Sequence, residues 1–292
     1  MSQYDVSIFC LFDTLPPRAI KKWLKLHAGL IDYTSEHFGF FAHQRSKLYE
    51  QLKSALLIQA MPYELRNWRR VVDHQFSNTP LSALGSIKHF PGGRFNIGDI
   101  DPSRFPQFAG LYIAEDTSTA LREVFSLDPD QSNNGLSSAE LNVAGNFSHF
   151  IIDGSLTTVL DLTKQESLSN FFDLISDIVL PTYYIKRAAK IKIPPMRPVR
   201  SLKELRDTLF REDWRLMPMQ FDVPANSQVL GQIAYAAGIE GILFPSVKTD
   251  KKTLVIYPNN FNDSDAYIEI KGNVSASVIN RRIDSSTFKE FI

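Results

Sequence analysis

Residues 89–125 read HFPGGRFNIGDIDPSRFPQFAGLYIAEDTSTALREVF. Two glycines, Gly92 and Gly93, deliver an arginine, Arg94, and Phe95 and Asn96 follow at once. Glycine tolerates positive φ and lets a backbone approach a ligand closely, so the pair reads as a tight turn that presents Arg94. Leu111, Tyr112, Ile113 and Ala114 form a short apolar strand, and a polar turn at Glu115 and Asp116 leads into a helix over 118–125. Loop, strand and helix thus bring Arg94, Tyr112 and Glu123 forward in order.

Outward from this block, the chain predicts short strands separated by helices. Strands are expected at 68–72, 149–153, 158–162, 241–244 and 253–257, where Val255 and Ile256 are β-branched. Helices are expected at 165–175, 201–210 and 227–237, the last capped by Asn226 or Ser227 and left through Gly238. The polar run 127–140 reads as an exposed loop and the proline-rich run 193–200 as a connector. Ahead of these, residues 1–60 read as helical. Thr14 is a candidate cap, with Pro16 and Pro17 in a first turn. Ile20, Trp23, Leu24 and Ile31 recur at helical spacing, and a second helix is expected over 46–60. The fold class is α+β, with a mixed β core and flanking helices. The expected division is 1–60 as a helical extension, 61–265 as the main domain and 266–292 as a C-terminal tail packed on it. The extension is either a helical cap on that domain or a partner-binding element.

Composition narrows the function. The 292 residues carry 32 Lys+Arg and 32 Asp+Glu, a formal net charge of zero. That argues against a nucleic-acid footprint and a polybasic membrane anchor, both of which need a basic surplus. One cysteine, Cys10, excludes an internal disulfide and a cysteine zinc cluster. The first residues lack the basic stretch of a signal peptide, and no apolar run approaches the roughly 18 residues of a membrane span. A soluble, cytoplasmic protein is expected. The six histidines form no His-Glu-x-x-His, and neither a phosphate-binding Gly-x-x-x-x-Gly-Lys-Ser/Thr loop nor a Gly-x-Gly-x-x-Gly is present, so no metal is assigned.

The residues that carry chemistry are five. Arg94 suits a bidentate grip on a phosphate group. Arg70, 24 positions earlier, is a second candidate for that role or half of a surface pair with Asp73, with Arg69 its competitor. Tyr112 offers a ring to stack on a ligand and a hydroxyl that needs a partner. Glu123 lies beside Ala120, Leu121 and Val124, and a carboxylate on such a half-buried helix can bond ribose hydroxyls and stabilise an oxocarbenium-like transition state. Ser246, after Phe244 and Pro245, is poised in a turn with no Gly-x-Ser-x-Gly frame around it. Asp101, Asp116 and Asp161 read as turn and strand-end residues.

Taken together these motifs resemble the RES domain, a family of NAD-degrading toxins with an ADP-ribosyltransferase-like fold. The Arg-Val strand is matched at 68–71, the Gly-Gly-Arg turn at 92–96, and the strand–helix block at 111–124. A Val-Leu-Asp-Leu strand at 159–162 and a helix–Gly–strand–Pro-Ser block from Gln228 to Val247 complete the likeness. Phe95 stands where the family usually has tryptophan, Thr253 where it often has asparagine, and residues 100–107 form an apparent insertion between Arg94 and Tyr112. The resemblance implies an NAD glycohydrolase or phosphorylase that cleaves the nicotinamide–ribose bond, with NAD as substrate and no cofactor. Inorganic phosphate is the implied co-substrate for phosphorolysis, and a cognate antitoxin the implied partner. Arg94 and Arg70 would bind the pyrophosphate, Tyr112 the nicotinamide end and Ser246 the amide or ribose. Glu123 would act at the reacting carbon. Transfer of ADP-ribose to a protein or small acceptor is the first alternative; a non-catalytic nucleotide-binding module is the second.

Overall fold

The structure, a computed structural model, describes residues 17–125 and 147–292. The cap expected at Thr14 and the loop expected at 127–140 lie outside the described residues. In chain order the helices are α1 (Pro17–Lys47), α2 (Tyr49–Leu57), α3 (Gly85–Lys88), α4 (Thr117–Phe125), α5 (Ser169–Ser176), α6 (Thr182–Lys190), α7 (Leu202–Leu209), α8 (Leu216–Phe221) and α9 (Asn226–Ala236). The strands are β1 (Met61–Asp73), β2 (Leu111–Ala114), β3 (Phe147–Asp161), β4 (Gly241–Pro245), β5 (Lys252–Ile256), β6 (Tyr267–Ile270) and β7 (Arg282–Ile283). Two compact units result: Met1–His43 with Val179–Pro198, and Gln44–Ile178 with Val199–Ile292.

The larger unit is built on one mixed sheet in the order β1-β2-β5-β4-β3-β6-β7, and β1 also pairs with β3. The ring of pairings therefore closes from β1 through β2, β5, β4 and β3 back to β1. Among the described residues only β3 and β4 run parallel (Val159↔Gly241 to Asp161↔Leu243). Alternating side chains feed two hydrophobic clusters, as the two-residue period of a strand requires. Leu111, Ile113, Leu254 and Ile256 enter one; Val255, Ile242, Phe244 and Tyr257 enter the other, together with Leu230 and Ile233 of α9. Tyr112 packs on this second cluster. The core is thus apolar on both sides of the sheet.

Several sequence boundaries move for identifiable reasons. The strand expected at 68–72 extends back to Met61 through an irregularity between Leu65 and Trp68, where Asn67 takes φ 55°. The two strands expected at 149–153 and 158–162 are one, β3, which runs through Gly154, where a Cβ would meet the backbone of β6. The helix α2 contributes Leu52 and Leu56 to the second cluster, so it belongs to the core of the larger unit and not to an extension. The last residues do more than pack on the domain. They supply β6 and β7, and Ile268, Ile283, Phe288 and Phe291 join the first cluster.

The smaller unit is helical, with Tyr33, His37 and Tyr184 in aromatic contact. Met196 closes it, its N–H donating to the Tyr33 hydroxyl and its carbonyl 2.9 Å from His37 Nε2. Burial lowers the His37 pKa, against the effect of that carbonyl. Trp23 stacks on His27 yet stays 61% exposed, and Leu24 is half exposed, so the apolar stripe read from the sequence is not covered at this turn.

Candidate active site

Arg94 is set by a loop in which each turn is tied down. Gly92 takes φ +92°, and a Cβ there would meet Gly98 N at 2.4 Å. The Gly98 N–H donates to the Pro91 carbonyl (3.0 Å) and the Gly93 N–H to Asn96 Oδ1 (2.9 Å). Asn96 is fully buried, and its Nδ2 donates to the carbonyls of Ser86 and Phe108. From α9, the buried Gln228 donates to the carbonyls of Pro91 (2.9 Å), Gly93 (3.2 Å) and Asn96 (3.1 Å), while its Oε1 accepts from Ala225 N. Tyr257 donates to the Phe95 carbonyl at 2.7 Å. One turn along α9, Gly231 leaves room for that same carbonyl: a Cβ would lie 2.1 Å from it.

Tyr112 projects from β2 against this loop. Its hydroxyl accepts from Phe95 N (3.0 Å) and donates to Asn96 Oδ1 (2.9 Å), and a Cβ on Gly93 would meet it at 2.3 Å. Burial raises the phenol pKa well above its usual value; the Phe95 N–H and the Arg94 charge oppose this. The hydroxyl is neutral and its proton is committed to Asn96, so the ring is what it chiefly offers a ligand.

The Arg94 guanidinium is nearly buried. Nη1 donates to the carbonyls of Leu209 (3.1 Å) and Arg211 (2.9 Å), and the group packs 5.6 Å from the Trp214 ring centre. Nε and Nη2 make no hydrogen bond among the described residues. Burial lowers its pKa to about 10, opposed by the Glu123 charge, so Arg94 is a cation at neutral pH.

Glu123 is carried on α4, whose start is fixed by the Asp116 carboxylate accepting from Thr119 N (2.7 Å). Ala120 of this helix packs on Val71 and Ala114, and the Thr119 hydroxyl meets that of Thr249 at 2.9 Å. Val124, expected beside Glu123 on an apolar surface, is half exposed. The buried Ser246 at the end of β4 donates to Glu123 Oε1 at 2.5 Å and accepts from Lys248 N at 3.0 Å. Ser246 therefore makes both the local turn bond and a bond to the carboxylate.

Arg70 stands apart. Its guanidinium donates to the carbonyls of Pro80 (2.5 Å), Tyr112 (2.8 Å) and Ser82 (3.0 Å), and burial lowers its pKa to about 10. Among the described residues it pairs with no aspartate; Asp73 instead accepts from Gln75 N. Arg69 is turned to the carbonyl of Asn67 (2.6 Å). Asp101, Asp116 and Asp161 cap local turns, as their sequence positions suggested. Among the described residues no group of three or more His, Cys, Asp or Glu is placed to hold a metal ion, and no helix is long and apolar enough to cross a membrane.

Sequence reasoning missed Gln228 as a loop anchor and Trp214 as the surface beneath Arg94. A signal for the first was present: a glutamine and a glycine three apart, Gln228 and Gly231, on an otherwise apolar helix face. Polar and small residues at buried helical positions mark a backbone packed against them. Trp214 lies in a charged run, Arg211 to Arg215, that reads as solvated surface.

The arrangement joins a buried cation, an aromatic ring and a hydrogen-bonded carboxylate, the equipment for binding an anion beside a carbon that becomes cationic. Residues 67–177 match the family model of the RES domain, the segment that holds Arg70, Arg94, Tyr112 and Glu123. The solved M. tuberculosis MbcT-MbcA toxin-antitoxin complex aligns at 16% identity over 83% of this chain and 97% of that chain, with a TM-score of 0.45. No curated protein matches.

Proposed function

We propose that the protein is an NAD-consuming enzyme that cleaves the nicotinamide–ribose bond, with an ADP-ribosyltransferase-like arrangement of the closed strand ring. The observation that carries this reading is the Ser246–Glu123 bond of 2.5 Å, which links a carboxylate within the RES-domain match to a serine outside it. Such a contact is expected where a carboxylate must be aimed. Arg94 Nε and Nη2 take a phosphate oxygen. The Tyr112 ring packs on the nicotinamide ribose. Glu123 faces the anomeric carbon.

On cleavage, the bonding electrons of the C–N bond go to the cationic pyridinium ring, which leaves as neutral nicotinamide. No general acid is needed. Charge develops on the ribose, and the Glu123 carboxylate stabilises it in the transition state more than in the ground state, which is what accelerates the step. Water then adds to the carbon and loses a proton, giving ADP-ribose; inorganic phosphate adding instead gives the 1″-phosphate. NAD loss of this kind arrests growth, so the chain acts as a cytoplasmic toxin held in check by a cognate antitoxin.

The test is incubation of the purified chain with NAD, with and without phosphate, followed by product masses. Free nicotinamide with ADP-ribose or its 1″-phosphate is expected. ADP-ribose attached to the protein itself or to an added acceptor would replace hydrolysis by transfer; intact NAD would leave a binding module.

A further inference from the structure

We infer that Arg215, which shares the Trp214 ring with Arg94, is the second arginine that grips the diphosphate of a dinucleotide. This deepens the reading of the site given above and rests on it. A diphosphate carries two negative groups, and Arg94 has only part of its guanidinium to offer because Nη1 already serves two carbonyls. The sequence candidate for the second grip, Arg70, has its Nε, Nη1 and Nη2 all bound to backbone carbonyls.

Arg215 differs from both. It immediately precedes α8 and is exposed, and its guanidinium packs 4.5 Å from the centre of the Trp214 ring, the ring that Arg94 also approaches. Trp214 is buried, so it is a fixed platform. Arg215 makes no hydrogen bond or ion pair among the described residues. Its neighbour Arg211 is locked onto Asp213 by two bonds of 2.7 and 2.6 Å, and Arg206 stacks on Phe210. Both guanidiniums approach the one Trp214 ring, which places Arg215 beside Arg94 and not on a remote surface. Two like charges set against one ring favour an anion that reaches both, and an arginine fork matches phosphate geometry. The indole beneath orients the forks without neutralising them.

The experiment measures affinity of the full chain for ADP-ribose and for AMP, which has one phosphate, in wild type, Arg215→Ala and Arg215→Lys. Arg215→Ala is expected to weaken ADP-ribose roughly 10- to 100-fold, the worth of one charge-assisted bond. AMP should weaken by less than about threefold, because Arg94 alone meets a single phosphate. Arg215→Lys should fall between, with charge restored but not the fork. Equal affinities for ADP-ribose in wild type and Arg215→Ala would overturn the inference, as would equal losses for both ligands. A wild-type chain that binds no ADP-ribose would overturn instead the dinucleotide reading beneath it. Unchanged thermal melting in Arg215→Lys separates either result from misfolding.

Discussion

Loop 91–98 holds Arg94 through four side chains drawn from the loop, β2, α9 and the end of β5, whereas Glu123 is held by one serine and by the position of α4. The first region is over-determined. Asn96, Gln228, Tyr112 and Tyr257 leave the loop backbone no alternative path. In the second, the Asp116 cap and the Thr119–Thr249 contact fix the helix, and among the described residues Ser246 alone bonds the carboxylate. The difference has a physical sense. An anion site works best when its donors are preorganised, since no reorganisation is then needed on binding. A carboxylate that must follow a carbon as charge develops needs aim more than immobility.

If the second region holds the chemistry, its loss should be the largest effect on rate and the smallest on fold. Glu123→Gln keeps volume and removes charge. Turnover of NAD should fall on the order of 10²–10³-fold, the usual cost of losing one such electrostatic contact. Thermal melting should not move. Wild-type turnover in this variant would remove Glu123 from the mechanism.

The first region predicts the reverse. Gln228→Ala removes four hydrogen bonds, three donated to carbonyls and one accepted from Ala225 N, and leaves buried carbonyls of Gly93 and Asn96 without this donor. A loss of about 3 kcal/mol of stability is expected, from net bonds of about 0.5–1.5 kcal/mol each and the cost of stranded acceptors. Chemical denaturation measures it. Gln228→Glu should be worse, since a carboxylate cannot donate to three carbonyls and would be buried as a charge. Unchanged stability in both would mean that the loop is held without α9.

Next in size is a contrast between two arginines that the sequence could not separate. Arg94→Lys should weaken NAD binding substantially, because a point charge cannot reproduce the fork. Arg70→Lys should leave NAD affinity near wild type and instead lower the melting temperature, since one ammonium cannot reach the three carbonyls that Arg70 joins. Calorimetric titration of both variants decides it; the opposite pattern would exchange their roles.

The contrast also marks what the sequence could disclose. The glycine pair, the apolar strand and the following helix were legible because their chemistry is local: φ at Gly92, alternation at β2, periodicity at α4. The α+β class followed from the same punctuation. Arg70 was read as a ligand group because its partners, Pro80, Ser82 and Tyr112, are carbonyls, and a carbonyl acceptor leaves no trace in residue type. Gln228 lies 137 positions from Pro91, so no spacing rule connects them. The single strand β3 read as two because residues 154–157 lack the apolar alternation of their flanks; its pairing with β6, more than a hundred residues on, carries it through. Trp214 and Arg215 were hidden by charge, which reads as surface wherever it occurs.

The smallest effect belongs to the single bond that aims the carboxylate. Ser246→Ala deletes the hydroxyl that donates to Glu123 and accepts from Lys248 N. A hydrogen bond to a charged group contributes about 1.5–3 kcal/mol, but Glu123 is half-buried and solvent replaces part of the loss, so turnover should fall only about tenfold. The Lys248 N–H lies near the surface of a turn and water satisfies it, so stability should change little. KM for NAD should stay near wild type, because the serine holds the carboxylate and not the phosphates. Ser246→Thr, which keeps the hydroxyl, should recover most of the rate. A raised KM with unchanged kcat would make Ser246 a substrate contact, and a failure of threonine to rescue would deny the hydroxyl any part in aiming Glu123.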